Sequence, residues 1–310
     1  MERANACSVV IPVYARDDVF GIVPGVLDAR GVTARLVVVD NGNADVLSAR
    51  LRSLEGPRCH VIRMDENRGG SAAYIAGVEY AMREHVDTDC IWLLDDDAKP
   101  NVDTLPGLLE TMDALVSSDP NTASVGSAVL KPQANGLIVE CGATFWPIFG
   151  HAFSRLRGSR LADVGKRTFR VDFAAACSLL VRKKAIRECG FWEDVFIHFD
   201  DVEWGTRVTR MGWHNYATTT STVEHPEFNP AKAGAWICYF DARNQYWLAA
   251  KYGWFHLLMA RAKNLAKSVY ASITGRMRAG NAYRKLAWSD YKQGIRRNRS
   301  EVVEMVGLSG

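Results

Sequence analysis

Apolar residues fall into short runs of strand length, parted by polar, turn-forming clusters. Ser8–Tyr14 (SVVIPVY), Arg35–Asp40 (RLVVVD), Cys59–Met64 (CHVIRM) and Ile91–Asp95 (IWLLD) are four such runs, and each reads as a buried strand. The segments between them are long enough for crossover helices. In Gly70–Glu84, Ala73, Ile75, Ala76, Val78 and Ala81 supply the apolar positions. Strands alternating with helices predict an α/β fold: a mostly parallel sheet flanked by helices. In such sheets ligands bind beyond the carboxyl ends of the strands. The polar clusters Tyr14-Ala15-Arg16-Asp17, Asp40-Asn41-Gly42-Asn43, Asn67-Arg68-Gly69-Gly70 and Asp95-Asp96-Asp97 all stand there.

Further along, the pattern predicts a helix over 105–116 and strands over 123–130, 137–145, 169–173 and 177–181. A second helix is expected from about Val202 to Met211, stopped by Gly212, and a strand over 218–223. From Tyr239 the chain reads as helical. We therefore divide it into a catalytic-type domain, residues 1–238, and a basic helical C-terminal segment, 239–310.

Composition adds constraints. Of 310 residues, 48% are hydrophobic and 24% charged, which describes a folded chain with a sizeable core. The seven cysteines are scattered and form no CxxC pair; this pattern predicts reduced thiols in a cytosolic protein, not a zinc site or a disulfide framework. Met1–Ala6 lacks the character of a secretory leader, and no run of 18 apolar residues could span a bilayer. The net charge of +3 hides an asymmetry: residues 243–310 hold 13 Lys and Arg against 3 Asp and Glu, while residues 1–242 hold 25 against 32. A basic tail on a mildly acidic body predicts an anionic partner. No nucleic-acid motif accompanies that charge. Trp247, Tyr252, Trp254, Phe255, Leu257, Leu258 and Met259 lie beside Arg261, Lys263 and Lys267, as in an interfacial helix on an anionic membrane surface. A helical cap packed on the domain, or on a second subunit of a homo-oligomer, has the same pattern.

The chemistry centres on Leu93-Leu94-Asp95-Asp96-Asp97. On an extended chain Asp95 and Asp97 share one face and Asp96 takes the other. Two close carboxylates repel unless a cation sits between them, and a hard divalent ion leaves positions for phosphate oxygens. An acidic turn capping the next helix would share this composition. Asp40, ending an apolar strand, is placed to accept hydrogen bonds from a ribose or base. Asn67-Arg68-Gly69-Gly70-Ser71 opens a helix whose N–H groups suit a diphosphate, or forms an ordinary turn. No GxGxxG follows the first strand, which argues against a dinucleotide enzyme. Asp200 and Asp201 begin a helix, where capping explains one carboxylate but not two beside an aromatic wall. His225 leaves a strand before Pro226, a position suited to a ligand.

Taken together, SVVIPVY, VVVDNGN, NRGGSAA, WLLDDDAKP, VDFAAACSLLVRKKAI, FIHFDDVEWGTRVTRMGW, VEHP and YFDARNQYWLAAKYG resemble, in order, the family-2 glycosyltransferases of GT-A fold over roughly residues 7–250. The DDD run, the FDD motif and the late RNxxxL-type segment are most similar to galactofuranosyl- and rhamnosyltransferases of bacterial surface polysaccharides. The resemblance implies that Tyr14, Arg16, Asp40, Arg68, Gly69, Asp95 and Asp96 line the nucleotide sugar. It implies that Asp95, Asp97 and His225 hold Mg²⁺ or Mn²⁺. Asp201 would be the catalytic base, with Asp200 recognising a sugar hydroxyl. Trp146 and Trp192, with Asp200, are candidates for acceptor contacts. The QxxRW motif of processive members is absent, Arg243-Asn244-Gln245-Tyr246-Trp247 standing near its place. The expectation is an inverting, metal-dependent transferase of a UDP- or dTDP-linked sugar to a glycan or lipid-linked acceptor, cytoplasmic or peripheral on the inner membrane face. Galactofuranose is favoured as the sugar, with dTDP-rhamnose the alternative. A metal-dependent phosphoryl-transfer enzyme and a non-catalytic sugar-binding module are the rival classes.

Overall fold

The structure, a computed structural model, describes residues 6–227, 234–276 and 278–308. The first half alternates as the pattern predicts: β1 Ala6–Val13, α1 Val19–Leu27, β2 Thr33–Asn41, α2 Asp45–Arg52, β3 Cys59–Met64, α3 Gly69–Glu84 and β4 Cys90–Leu94. Then follow β5 Lys99–Pro100, α4 Thr104–Ser118, β6 Thr122–Leu130, β7 Ile138–Glu140, β8 Ala143–Trp146 and β9 His151–Ser154. After α5 Leu161–Val164 come β10 Thr168–Val171, β11 Ser178–Arg182, α6 Lys183–Cys189, α7 Asp200–Arg210 and β12 His214–Glu224. The chain closes with α8 Ile237–Ala250, α9 Trp254–Thr274, α10 Gly280–Gln293 and α11 Arg299–Gly307.

The main sheet runs β10-β12-β6-β11-β4-β1-β2-β3. Strands β3, β2, β1 and β4 pair in parallel, and β12 pairs in parallel with β6. Strand β11 runs antiparallel to both β4 and β6, a reversal that no periodicity announces. Both faces of the sheet are covered, which is why its strands are continuous apolar runs. Alternate residues divide between the layers: Val9, Ile11, Leu36, Val38, Trp92 and Leu94 pack toward α1 and α4. Val10, Val37, Val39, Ile91 and Leu93 pack toward α3, α6 and α7.

Some expectations needed correction. The strand expected over 137–145 is two strands, broken where Gly142 takes φ +64°. Pro100 does end the buried run, but Lys99 and Pro100 form a short strand against Val223 and Glu224 of β12. That ladder brings His225, just past the end of β12, back beside the aspartates of the β4 exit. The seven cysteines are all buried thiols.

The C-terminal helices are built onto this body. Helix α8 is buried along most of its length, and Tyr239, Phe240 and Tyr246 join Phe196, Ala260, Ala287 and Val302 in one apolar cluster. Lys251 pairs with Glu193 at 2.5 Å and with the buried Glu203 at 2.7 Å. Part of the basic tail thus meets the acidic body directly.

Candidate active site

Above the carboxyl edge of the parallel strands lies a cavity of about 1060 Å³. Asp95, Asp96 and Asp97 leave β4 there, and each turns to a different partner. Asp95 Oδ1 accepts from the Tyr74 hydroxyl at 2.7 Å, and its Oδ2 lies 3.5 Å from His225 Nε2. Asp97 Oδ1 lies 3.0 Å from the same imidazole nitrogen, and its other oxygen pairs with Arg16. Asp96 points away to accept from the Tyr14 N–H at 3.1 Å. Burial pushes its carboxyl up to about 6, against the pull of that N–H.

The ligand atoms of Asp95, Asp97 and His225 lie within 4.8 Å of one another. Two carboxylates and an imidazole form a donor set that suits Mn²⁺ or Mg²⁺. The residues present therefore fit a divalent cation.

Across the cavity, α7 begins with Asp200 and Asp201. Asp200 Oδ2 accepts from the Ser71 hydroxyl at 2.7 Å and Oδ1 from the Asp201 N–H at 3.1 Å. Asp201 Oδ1 accepts from the Val202 N–H at 2.7 Å. Burial raises both carboxyls, and the charges of Asp200 and Glu140 raise Asp201 further. Glu140 ends β7 in the cavity wall, accepts from the Ala175 N–H at 2.9 Å and is itself raised by burial.

The approach to Asp200 is strained. Phe196, His198 and Phe199 have φ of +71°, +64° and +68°, the left-handed region that costs a non-glycine residue about 1–3 kcal/mol. The buried Asn244 of α8 holds the turn by donating to the carbonyls of Val195, Ile197 and His198 at 3.1, 2.7 and 3.0 Å. Arg243 donates to Val195 O at 2.7 Å. Burial alone would lower the His198 imidazole. Its 2.7 Å bond to Asp241 and the nearby Asp200 charge raise it instead.

Other anticipated residues lie elsewhere than their pattern implied. Asp40 is 1% exposed and does not line the cavity. Its oxygens accept from Asn43 N and Nδ2 at 3.0 and 2.8 Å and from the Ser48 hydroxyl at 2.5 Å. Asn43 in turn accepts from the N–H of Ala15 at 2.7 Å, so Asp40 acts on the Tyr14–Arg16 loop through Asn43. Neighbouring Asn41 reaches the cavity. Arg68 is largely exposed and points to Asp194.

Three N–H groups at the opening of α3 have protein partners: Arg68 donates to Asn41, Gly69 to Asn67 and Ser71 to the Phe196 carbonyl. Gly69 is needed for that close approach, since at φ +84° a Cβ would lie 2.1 Å from Phe196 O. This end of the helix also seats the Phe196 turn, while Gly69 and Gly70 line the cavity. Trp192, expected at the acceptor, is buried in the core beside Tyr74 and Phe191 and does not line the cavity. Trp146 stands half-exposed on the β8–β9 hairpin, whose Phe145, Gly150, His151 and Ala152 reach the cavity.

Sequence reasoning missed Tyr74, Asn43, Glu140 and Asn244. For Tyr74 a signal existed: a tyrosine in the buried stripe of a helix needs a partner for its hydroxyl.

Residues 8–190 match the family model "Glycosyl transferase family 2". Over 115 residues the chain is 31% identical to the succinoglycan biosynthesis protein ExoO of Rhizobium meliloti (strain 1021), a stretch covering 37% of this chain and 32% of that protein. Among solved structures, GalNAc-T7 with UDP, GalNAc and Mn²⁺ matches with a TM-score of 0.55 at 15% identity, over 79% of this chain and 51% of that one. The chain spans about a third and about half of these two relatives. The structural likeness is one of fold, and the architecture is of the GT-A type.

Proposed function

The chain belongs to glycosyl transferase family 2, and on that premise we propose that it transfers a hexosyl group from a nucleotide diphosphate sugar to a hydroxyl of a glycan or lipid-linked glycan. The observation that carries this reading is the pairing of two unlike acidic centres across one cavity. One is a cation site, Asp95, Asp97 and His225; the other is the carboxyl pair Asp200–Asp201, held in a buried setting.

The acceptor oxygen bonds to the anomeric carbon while the carbon–oxygen bond to the diphosphate breaks, and the configuration inverts. Asp201, ionised, takes the proton of the acceptor hydroxyl. The electron pair leaves with the nucleoside diphosphate. Asp200, fixed by Ser71 and the Asp201 N–H, orients a sugar hydroxyl. Asp95, Asp97 and His225 would hold a divalent ion, which would supply Lewis-acid stabilisation of charge on the leaving diphosphate. Tyr14 and Arg16, on the loop fixed by Asp40 through Asn43, flank the nucleotide.

Galactofuranose from a UDP donor is the favoured sugar, with dTDP-rhamnose as alternative; both rest on the resemblance of the FDD and RNxxxL segments. The UDP and Mn²⁺ named with GalNAc-T7 support a uridine donor and a divalent ion. The likeness to ExoO, a succinoglycan biosynthesis protein, supports a role in polysaccharide synthesis.

The test is a screen of UDP-galactofuranose, dTDP-rhamnose, UDP-glucose, UDP-galactose and UDP-N-acetylglucosamine, with Mg²⁺ or Mn²⁺ and with chelator, in the presence of membrane extract as acceptor. The reading expects release of nucleoside diphosphate with one donor, abolished by chelator. Donor binding without turnover would favour a sugar-binding module, and undiminished transfer in chelator would remove the metal.

A further inference from the structure

We infer that the outer face of α9, continued by the tip of the β8–β9 hairpin, docks this protein on an anionic lipid bilayer at the rim of its cavity. Helix α9 buries Ala260, Asn264 and Ala271 against the body. At helical spacing the opposite side carries Trp254, Leu258, Leu265, Val269 and Ile273. Those side chains lie in the open: Trp254 is 77% exposed, Val269 58% and Ile273 79%. A 21-residue helix makes such a face about 30 Å long. No helix among the described residues is long and apolar enough to cross a membrane, so the surface fits a helix lying in the interface plane.

The charge selects the occupant. Helix α9 carries no acidic residue; Arg261 lies over the Trp288 ring and Lys263 donates to the hairpin carbonyls, which leaves Lys267, with Arg276 just beyond the helix, exposed to solvent. A second copy would set these cations against their equivalents, whereas anionic headgroups complement them. The hairpin joins the same surface. Lys263 Nζ donates to Phe149 O at 2.8 Å, and Trp146, Phe149 and Phe153 form a half-exposed aromatic cluster at the tip. Aromatic side chains of this kind sit at the headgroup level of a bilayer. Gly150 and His151 of the same hairpin line the cavity, so a docked bilayer stands at its mouth.

That this docking delivers a lipid-borne acceptor rests on the transfer reading; the docking itself does not. Co-sedimentation of the full chain with phosphatidylglycerol–phosphatidylcholine vesicles and with pure phosphatidylcholine vesicles, at low and high salt, therefore needs neither donor nor turnover. We expect binding to the anionic vesicles, weakened by salt and absent with neutral ones. Lys267→Gln with Arg276→Gln should weaken it by on the order of tenfold at low salt. Leu265→Glu with Val269→Glu should abolish it while leaving the melting temperature and any transfer to a soluble acceptor unchanged. Wild-type protein that stays in the supernatant with anionic vesicles overturns the inference and leaves the transfer reading intact. So does light scattering that finds a dimer in the wild type and a monomer in the Leu265→Glu, Val269→Glu variant, for a second copy would then own the face.

Discussion

Asp201, the base in the proposed transfer, stands in a setting that resists ionisation. Burial, then the charges of Asp200 and Glu140, raise its carboxyl well above the ordinary range, so the protonated form persists to higher pH than for an exposed aspartate. Only the ionised form is a base. Turnover is therefore expected to rise with pH along a limb above the usual carboxylate range, near ~4. Glu140→Gln removes one of the charges that raise Asp201, so that limb should move to lower pH; kcat measured against pH in both proteins checks the direction. An unmoved limb would separate Glu140 from the base. That Asp201 and His225 would face one cavity was legible in the sequence, because an acid at a helix start and an imidazole at a strand exit stand at the same end of the sheet. Asn43, Glu140 and Asn244 were not, because each matters through a partner far away in sequence. Asp40 was legible as a strand-terminal carboxylate, yet its buried bonds to Asn43 and Ser48 could not be read from the pattern.

At the scale of elements, the turn from Phe196 to Phe199 sets the position of the acid pair. It is held from one side by Asn244 and Arg243 of α8 and from the other by the start of α3, where Ser71 bonds the Phe196 carbonyl. Gly69 and Gly70 test this directly. An alanine at 69 places its Cβ against Phe196 O at a positive φ, whereas one at 70 meets nothing within 4 Å. Gly69→Ala should cost about 2 kcal/mol or more and depress turnover strongly. Gly70→Ala should be close to neutral in both. Thermal denaturation and initial rates on the pair are the check, and equal behaviour would contradict the close-approach account. The strands were legible because the sheet is buried on both faces; β3 runs over Cys59–Met64 in pattern and structure alike. Helix α1 was not, since it contains Pro24 and the glycines 21 and 25, all of which read as breakers. Nor could the antiparallel entry of β11 be seen, because strand direction leaves no trace in side-chain period.

For the whole molecule, the charge asymmetry that sets residues 243–310 apart from the body resolves into two parts. Some of the cations stitch the tail to the body, as Lys251 does with Glu193 and Glu203 and Arg296 with Glu193. Others flank the exposed face of α9. The tail also supplies Asn244, so a segment set apart by composition contributes to the shape of the cavity wall. The central claim is that one cavity joins a cation-assisted diphosphate site to a carboxylate base for the acceptor. Its most direct test is single-turnover transfer by Asp201→Asn with the donor bound, alongside the donor's dissociation constant. The account predicts a loss of at least about a hundredfold in the transfer rate with donor affinity little changed, since Asp201 meets the acceptor hydroxyl and not the diphosphate. Wild-type transfer by the Asp201→Asn protein at saturating donor would contradict it.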